Sequence, residues 1–221
     1  MNKVALFDFC ETIANFQTAD AYVDYIREQT KNCEMLMKDN FRILLRKTKI
    51  LGILEKLFPK SSINKRLVLW QLKGLEKQLL ERYAEEYYIN IIKPNFIVVI
   101  IEKLRELQNE GWRIVLVSAG YEIYLKYFAR DFNIREEDII AVKIKFNHNI
   151  CNGTFDGGDR LWDKTEKLNS KIDKDKVFSI AFSDSISDLP MLNWVNKGYV
   201  VRRRDKEKWS NNYNFEEILW M

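Results

Sequence analysis

Two short apolar runs, each ending in carboxylates, constrain this 221-residue chain more than any other feature. Val4-Ala5-Leu6-Phe7 leads into Asp8-Phe9-Cys10-Glu11-Thr12, and Val177-Phe178-Ser179-Ile180-Ala181-Phe182 leads into Ser183-Asp184-Ser185-Ile186-Ser187-Asp188. An unbroken apolar run of this length reads as a strand covered on both faces of a parallel sheet, and ligands of open α/β sheets gather beyond the carboxyl ends of such strands. The pattern therefore puts Asp8 and the Asp184 turn at one end of a sheet. Carboxylates presented together in that way suggest a shared divalent cation.

The chain between the two runs changes character. From Thr18 to Asn90 it shows no strand signal and hardly any Gly or Pro, while apolar residues recur at helical spacing, which predicts an all-helical insertion. Thr18 reads as an N-cap for a helix from Ala19, with Asp20 in the first turn and Tyr22, Val23 and Ile26 on one face. Met35 to Phe58 predicts one long or two shorter helices stopped by Pro59, and Ile63 to Tyr88 a further helical stretch broken near Gly74. Pro94 opens a helix through Leu107, Gly111 ends it, and Trp112-Arg113-Ile114-Val115-Leu116-Val117 is a third strand finishing at Ser118-Ala119-Gly120. Residues 141–156 mix alternating apolar residues with Asn and Gly, the pattern of a hairpin-like excursion. A βα alternation interrupted once predicts an α/β fold, a doubly wound and mainly parallel sheet built from residues 1–16 and 91–221, with a helical cap at 17–90.

Composition narrows the function classes. Hydrophobic residues make up 47% of the chain, and a net charge of +4 is interspersed rather than massed, which gives no reason to expect a nucleic-acid partner. Three cysteines, Cys10, Cys33 and Cys151, with a single histidine, His148, form neither a zinc site nor a disulfide framework, and Cys33 and Cys151 read as inert fillers. No apolar stretch reaches the ~18 residues of a membrane span, and no basic leader precedes the first strand, so a cytoplasmic protein without a membrane partner is expected. The basic amphipathic stretch Arg42 to Lys60 could lie on a membrane surface, but packing inside the cap is the expectation. His148 and the run Arg202-Arg203-Arg204 read as solvated.

Four separated pieces, in order, resemble the haloacid dehalogenase (HAD) superfamily, and specifically its phosphoserine-phosphatase-like branch with a helical cap after the first motif. Asp8-Phe9-Cys10-Glu11-Thr12 matches the family's Asp-x-Asp-x-Thr/Val with one departure. Ser118 matches the Ser or Thr that ends the next core strand, and Lys164-Thr165-Glu166-Lys167-Leu168 resembles the Lys-x-x-x-Leu form of the third motif, with Lys164 taken over Lys167. Asp184-Ser185-Ile186-Ser187-Asp188-Leu189-Pro190-Met191-Leu192 matches the fourth. The resemblance implies that Asp8 is a nucleophile forming an aspartyl-phosphate, restrained by Lys164. It implies a Mg²⁺ cofactor held by Asp8, Asp184 and the backbone carbonyl of Cys10, with Asp188 beside it orienting water or the lysine. Ser118, Ala119, Gln17 and Thr12, which also braces the turn, form the expected phosphate and substrate side. Gln17 stands where phosphoserine phosphatases carry a Glu that recognises the substrate amine, which argues against phosphoserine; Arg46 is a candidate for an anionic substrate tail.

The departure, Cys10, bears on mechanism. In the family's phosphatases an Asp at this position protonates the leaving oxygen and later deprotonates water. A thiol with an ordinary pKa of about 8.5 is a poor base at neutral pH, and general acid–base catalysis contributes roughly 10²–10⁴-fold. The expected function is a Mg²⁺-dependent phosphohydrolase acting on a small phosphorylated metabolite, with weakened acid–base assistance. A degenerate domain that binds a phosphate ligand or a protein partner without turnover, and a phosphotransferase, are the alternatives.

Overall fold

A computed structural model describes residues 2–58, 61–157, 164–205 and 209–221. Strand β1 (Asn2–Phe7) lies at the centre of a six-stranded parallel sheet, flanked on one side by β2 (Arg113–Tyr121) and β3 (Ile139–Val142). On the other side come β6 (Val177–Ser183), β7 (Lys197–Arg203) and β8 (Glu216–Trp220). Alternate β1 residues face opposite layers. Ala5 and Phe7 join the core that contains Leu104 of α6 (Val98–Asn109) and Phe128 of α7 (Glu122–Asp131), while Val4 and Leu6 join Leu168 of α8 (Lys164–Lys171) and Met191 of α9 (Leu189–Trp194). The sheet is thus doubly wound, and strand order reverses between β1 and β6, which places the residues following both strands at the switch point where ligands bind in such sheets.

Several boundaries differ from the sequence expectation for tertiary reasons. Pro94 sits in a 3₁₀ turn, Lys93–Asn95, and α6 starts only at Val98. Phe96 and Ile97 are held extended by pairing with the loop after β1, where the Ile97 N–H donates to the Ile13 carbonyl at 2.8 Å. Strand β2 does not stop at Val117 but continues through an irregularity to Tyr121. Ala141 and Val142 belong to edge strand β3, so the hairpin is shorter than expected, β4 (Ile144–Asn147) with β5 (Ile150–Phe155).

Residues 18–87 form helices α1 (Thr18–Thr30), α2 (Cys33–Lys47), α3 (Ile50–Leu57), α4 (Ile63–Trp70) and α5 (Lys77–Tyr87). Gln17, not Thr18, takes the N-cap position of α1, and Thr18 is fully buried. Asn32 caps α2, accepting from the N–H groups of Glu34 and Met35. Pro59 and Lys60, assigned to the helix stop and the end of the basic stretch, lie outside the described residues. The hairpin is sewn onto the cap by backbone bonds, Gly74 N–H to Cys151 O, Cys151 N–H to Leu75 O and Lys77 N–H to Asn149 O, each 2.8 Å. Gly74, at φ 93°, makes the turn that allows this. Cys151 is buried there, whereas Cys33 is exposed and fills nothing; His148 is exposed in the hairpin turn. Arg202 and Arg203 are half-buried rather than solvated, and Arg202 pairs with Glu217 at 3.4 Å. Among the described residues no helix is long and apolar enough to cross a membrane.

The expectation that the basic stretch packs inside the cap is only partly met. Arg42 is buried, and its guanidinium donates to Asp39 Oδ1 at 2.8 and 3.0 Å; Arg27 reaches Asp39 Oδ2 at 3.1 Å and Gln71 donates to Oδ1 at 3.3 Å. Leu44, Ile50, Ile53, Leu57 and Phe58 are exposed instead. Removing one partner from a buried charge cluster leaves the others uncompensated. Asp39→Ala should destabilise the protein by about 3 kcal/mol in urea unfolding. A loss below about 1 kcal/mol would mean that Arg27 and Arg42 find water instead.

Candidate active site

Asp8 remains tied to the sheet after β1 ends, its N–H donating to the Phe182 carbonyl at 3.0 Å. The chain then doubles back. Glu11 takes φ 56°, a left-handed conformation uncommon outside glycine, and the Phe9 carbonyl accepts from the N–H groups of Ile13 (2.9 Å) and Ala14 (3.0 Å). This loop returns the Thr12 hydroxyl to within 3.3 Å of Asp8 Oδ2 and 3.2 Å of Asp184 Oδ1, while the same oxygen accepts from the Asp184 N–H at 3.0 Å. One hydroxyl proton serves only one of those two carboxylate oxygens at a time.

On its other side Asp8 meets Lys164, the first residue of α8, whose Nζ donates to Asp8 Oδ1 at 2.9 Å and to Asp188 Oδ2 at 2.6 Å. Asp188 Oδ2 also accepts from the Ser183 hydroxyl at 2.7 Å. Leu168, one helical turn on, is anchored in the apolar layer beneath α8, so Lys164 faces the site, while Lys167 is exposed.

Asp8, Cys10, Ala119, Lys164, Asp184 and Asp188 line the floor of one cavity. Gln17, Asp20 and Lys65 border it from the cap, with Tyr121 and Phe155 closing its sides. Thr12 and Ser118 do not line it: Thr12 is buried behind the two carboxylates, and the Ser118 hydroxyl accepts from the Gly120 N–H at 3.0 Å. Arg46 lies exposed on α2, and the cap cation at the cavity is Lys65, which no sequence signal singled out. Gln17 donates to Glu11 Oε2 at 2.6 Å.

Cys10 Sγ lies 3.0 Å from the Thr18 hydroxyl, which is 2.8 Å from the Tyr124 hydroxyl. Burial, reinforced by the charge of Asp8, pushes the Cys10 thiol up to about 11. Burial also raises the Asp8 carboxyl to about 6, against the pull of Lys164, and raises Asp184 to about 7, with the charges of Asp8 and Glu11 adding to it. Burial opposes the charge on Lys164, but Asp8 and Asp188 outweigh it and its pKa rises.

One buried and one half-buried carboxylate, Asp8 and Asp184, that repel each other across a polar cavity are a donor set suited to a hard divalent cation. Among the described residues no three His, Cys, Asp or Glu side chains converge on one metal-sized point. Asp8 and Asp184 would therefore have to share the cation with backbone oxygen and water, as Mg²⁺ commonly requires.

The direction of these shifts fixes a pH dependence. A carboxyl raised above its unfolded value stabilises the fold fully below about pH 4, and that contribution is lost as pH rises through about 6 for Asp8 and about 7 for Asp184. In chelator-treated protein, Asp184→Asn should be more thermostable than wild type at pH 8, and the difference should vanish near pH 4. Equal melting temperatures at pH 8 would mean that Asp184 bears no such penalty.

The sequence matches the family of haloacid dehalogenase-like hydrolases over residues 5–193. No curated protein matches it. Among solved structures, a protein of unknown function from Bordetella pertussis Tohama I superposes with a TM-score of 0.78 at 17% identity, covering 99% of this chain and 98% of that one. A phosphoserine phosphohydrolase-like protein from Francisella tularensis subsp. tularensis SCHU S4 gives 0.62 at 21% identity, over 90% and 87% of the two chains. A phospho-aspartyl intermediate analogue of phosphoserine phosphatase gives 0.54 at 17% identity, over 90% and 86%. These likenesses are of fold. The family match runs from β1 into α9 and so takes in both carboxylate loops and Lys164 between them, and on that ground the chain belongs to the haloacid dehalogenase-like hydrolases.

Proposed function

We propose that the protein is a Mg²⁺-dependent phosphohydrolase of a small phosphorylated metabolite, acting through an aspartyl-phosphate on Asp8. The observation that carries this reading is Asp8 itself, held by Lys164 on one oxygen and by Thr12 on the other at the floor of a cavity. A carboxylate fixed in this way can attack phosphorus in line. The bond from phosphorus to the leaving oxygen breaks as the phosphoryl group passes to Asp8, and water then attacks phosphorus and frees the carboxylate. Overall, water supplies hydroxide to phosphorus and a proton to the leaving oxygen. Lys164 offsets negative charge as it gathers on the phosphoryl group, and Asp188 and Ser183 hold that ammonium in place. A cation held by Asp8, Asp184 and the Cys10 carbonyl would supply further positive charge opposite the phosphoryl oxygens. Asp20 and Lys65 are where the cap reads the polar part of the substrate.

Proton transfer is the weak point of this site. It is most efficient for groups whose pKa lies near the working pH, and the Cys10 thiol at about 11 lies well above it. That observation favours a second reading, phosphate binding or phosphoryl transfer with little hydrolysis.

Hydrolysis of p-nitrophenyl phosphate with Mg²⁺ tests the main reading. Asp8→Asn should abolish turnover while the protein stays folded; turnover persisting at the wild-type rate would remove Asp8 as nucleophile. Asp184→Ala should lose both Mg²⁺ affinity in calorimetry and metal-dependent turnover, and unchanged affinity would refute the metal assignment.

A further prediction concerns Cys10. Acid quench after mixing with an activated phosphate donor should trap a phosphoryl group on the Asp8 peptide, and Cys10→Asp should diminish it while raising turnover of alkyl phosphates towards the ~10²–10⁴-fold range of acid–base catalysis. Lower turnover in a folded, Mg²⁺-binding Cys10→Asp protein would overturn the impaired-hydrolase reading.

A further inference from the structure

Helix α2 is built inside out. Its buried residues are Met35, Lys38, Asp39 and Arg42, while Leu36, Met37, Phe41 and Leu44 are exposed. At 100° per residue the four exposed apolar side chains fall within an arc of about 140°, and the buried set occupies about 100° on the opposite side. The inversion is stabilised from within: Asp39 gathers Arg27, Arg42 and Gln71, and Lys38 pairs with Glu34 at 2.7 Å and reaches the Lys73 carbonyl at 3.4 Å. Helix α3 continues the apolar face. Only Leu51 of α3 is buried, and Ile50, Ile53, Leu57 and the following Phe58 are exposed. With Met37 at 71% and Leu57 at 66% exposure, these are not side chains grazing the surface. Ordinary soluble surfaces scatter such residues singly, whereas here eight exposed large apolar residues fall within positions 36–58.

The charges around this face decide what covers it. From residue 33 to 58 the exposed charged residues are Glu34, Arg46, Lys47, Lys49 and Lys56; Glu34 is paired with Lys38, Arg46 falls on the buried side of α2 at the same spacing, and Asp39 and Glu55 are buried or half-buried, which leaves Lys47, Lys49 and Lys56 beside the exposed apolar side chains. Two copies meeting through this face would bring Lys47, Lys49 and Lys56 of one against those of the other, so self-association is opposed. An apolar face flanked by Lys47, Lys49 and Lys56 is complementary to a bilayer interface with anionic headgroups, which accepts the side chains among the acyl chains and the cations at the phosphates. We infer that the α2–α3 hairpin of the cap is a peripheral docking surface for anionic membrane. It revises the expectation of no membrane partner and is independent of the hydrolase reading, because no residue in it lines the cavity.

Flotation of the full chain with lipid vesicles tests this directly. Wild-type protein should float with vesicles of phosphatidylglycerol and phosphatidylcholine, remain soluble with phosphatidylcholine alone, and be released by high salt. Met37→Ser with Leu57→Ser should abolish flotation, and Lys47→Glu with Lys49→Glu should weaken it at least about tenfold. All four positions are exposed, and thermal melts matching wild type show that the fold is retained. Wild type remaining soluble with anionic vesicles, or floating equally with neutral ones, overturns the inference. So does a wild-type dimer in size-exclusion chromatography that Met37→Ser with Leu57→Ser converts to monomer, since the face then belongs to a second copy. An acidic protein as the true occupant would leave wild type monomeric and indifferent to vesicles, which equally rejects the membrane.

Discussion

Three carboxylates, Asp8, Asp184 and Asp188, stand at the floor of one cavity with Lys164 reaching two of them, and the architecture around them serves to make that tolerable. Parallel pairing of β1 with β6 brings the first two together by joining the strands that deliver them. The left-handed step at Glu11 inserts the Thr12 hydroxyl between them, and Ser183 shares the load on Asp188. Burial first, and repulsion between the carboxylates after it, raises the pKa values of Asp8 and Asp184, which leaves the site disposed towards positive charge.

What could be read from the sequence follows from how strongly each element depends on its own residues. β1 and β6 are buried on both faces, so their apolar runs are continuous and their ends unmistakable. β3, β7 and β8 escaped notice. β3 is only Ile139–Val142 at a sheet edge, and β7 and β8 carry Lys197, Arg202, Arg203, Glu216 and Glu217 because they lie on the other flank. The helix start at Pro94 was overridden by contacts of Phe96 and Ile97 with a loop some eighty residues away in sequence, which no local signal records.

The candidate site divides along the same line. Asp8 and Asp184 were legible because they end continuous apolar runs, and Lys164 and Asp188 through the motifs that resemble the family's. The cap contribution was not: Asp20 and Lys65 have no motif, and Phe155 comes from a hairpin whose pairing with residues 74–77 only the folded chain reveals. Thr18 looked like an ordinary helix cap and is instead the hydroxyl that touches Cys10, because Gln17 took the capping position and turned Thr18 inward. The inversion of α2 was equally hidden, since periodicity reports that a helix is amphipathic but not which face turns inward.

The union of the hairpin with the cap has a mechanical consequence. A lid inserted at one place in a chain hangs on two strands and can swing about the line joining them. Here a third attachment exists, because β4 and β5 leave the sheet after β3 and are bonded across residues 74–77. An attachment beyond the two chain connections restrains that swing. A swing of the cap would have to flex the ends of the hairpin near Val142 and Asp156, where the Asp156 N–H is bound to the Lys143 carbonyl at 2.8 Å, and to part Glu81 of α5 from Lys126 and Tyr127 of α7. A cap tied down in this way has less freedom to lift from the cavity than one carried by its two chain connections alone.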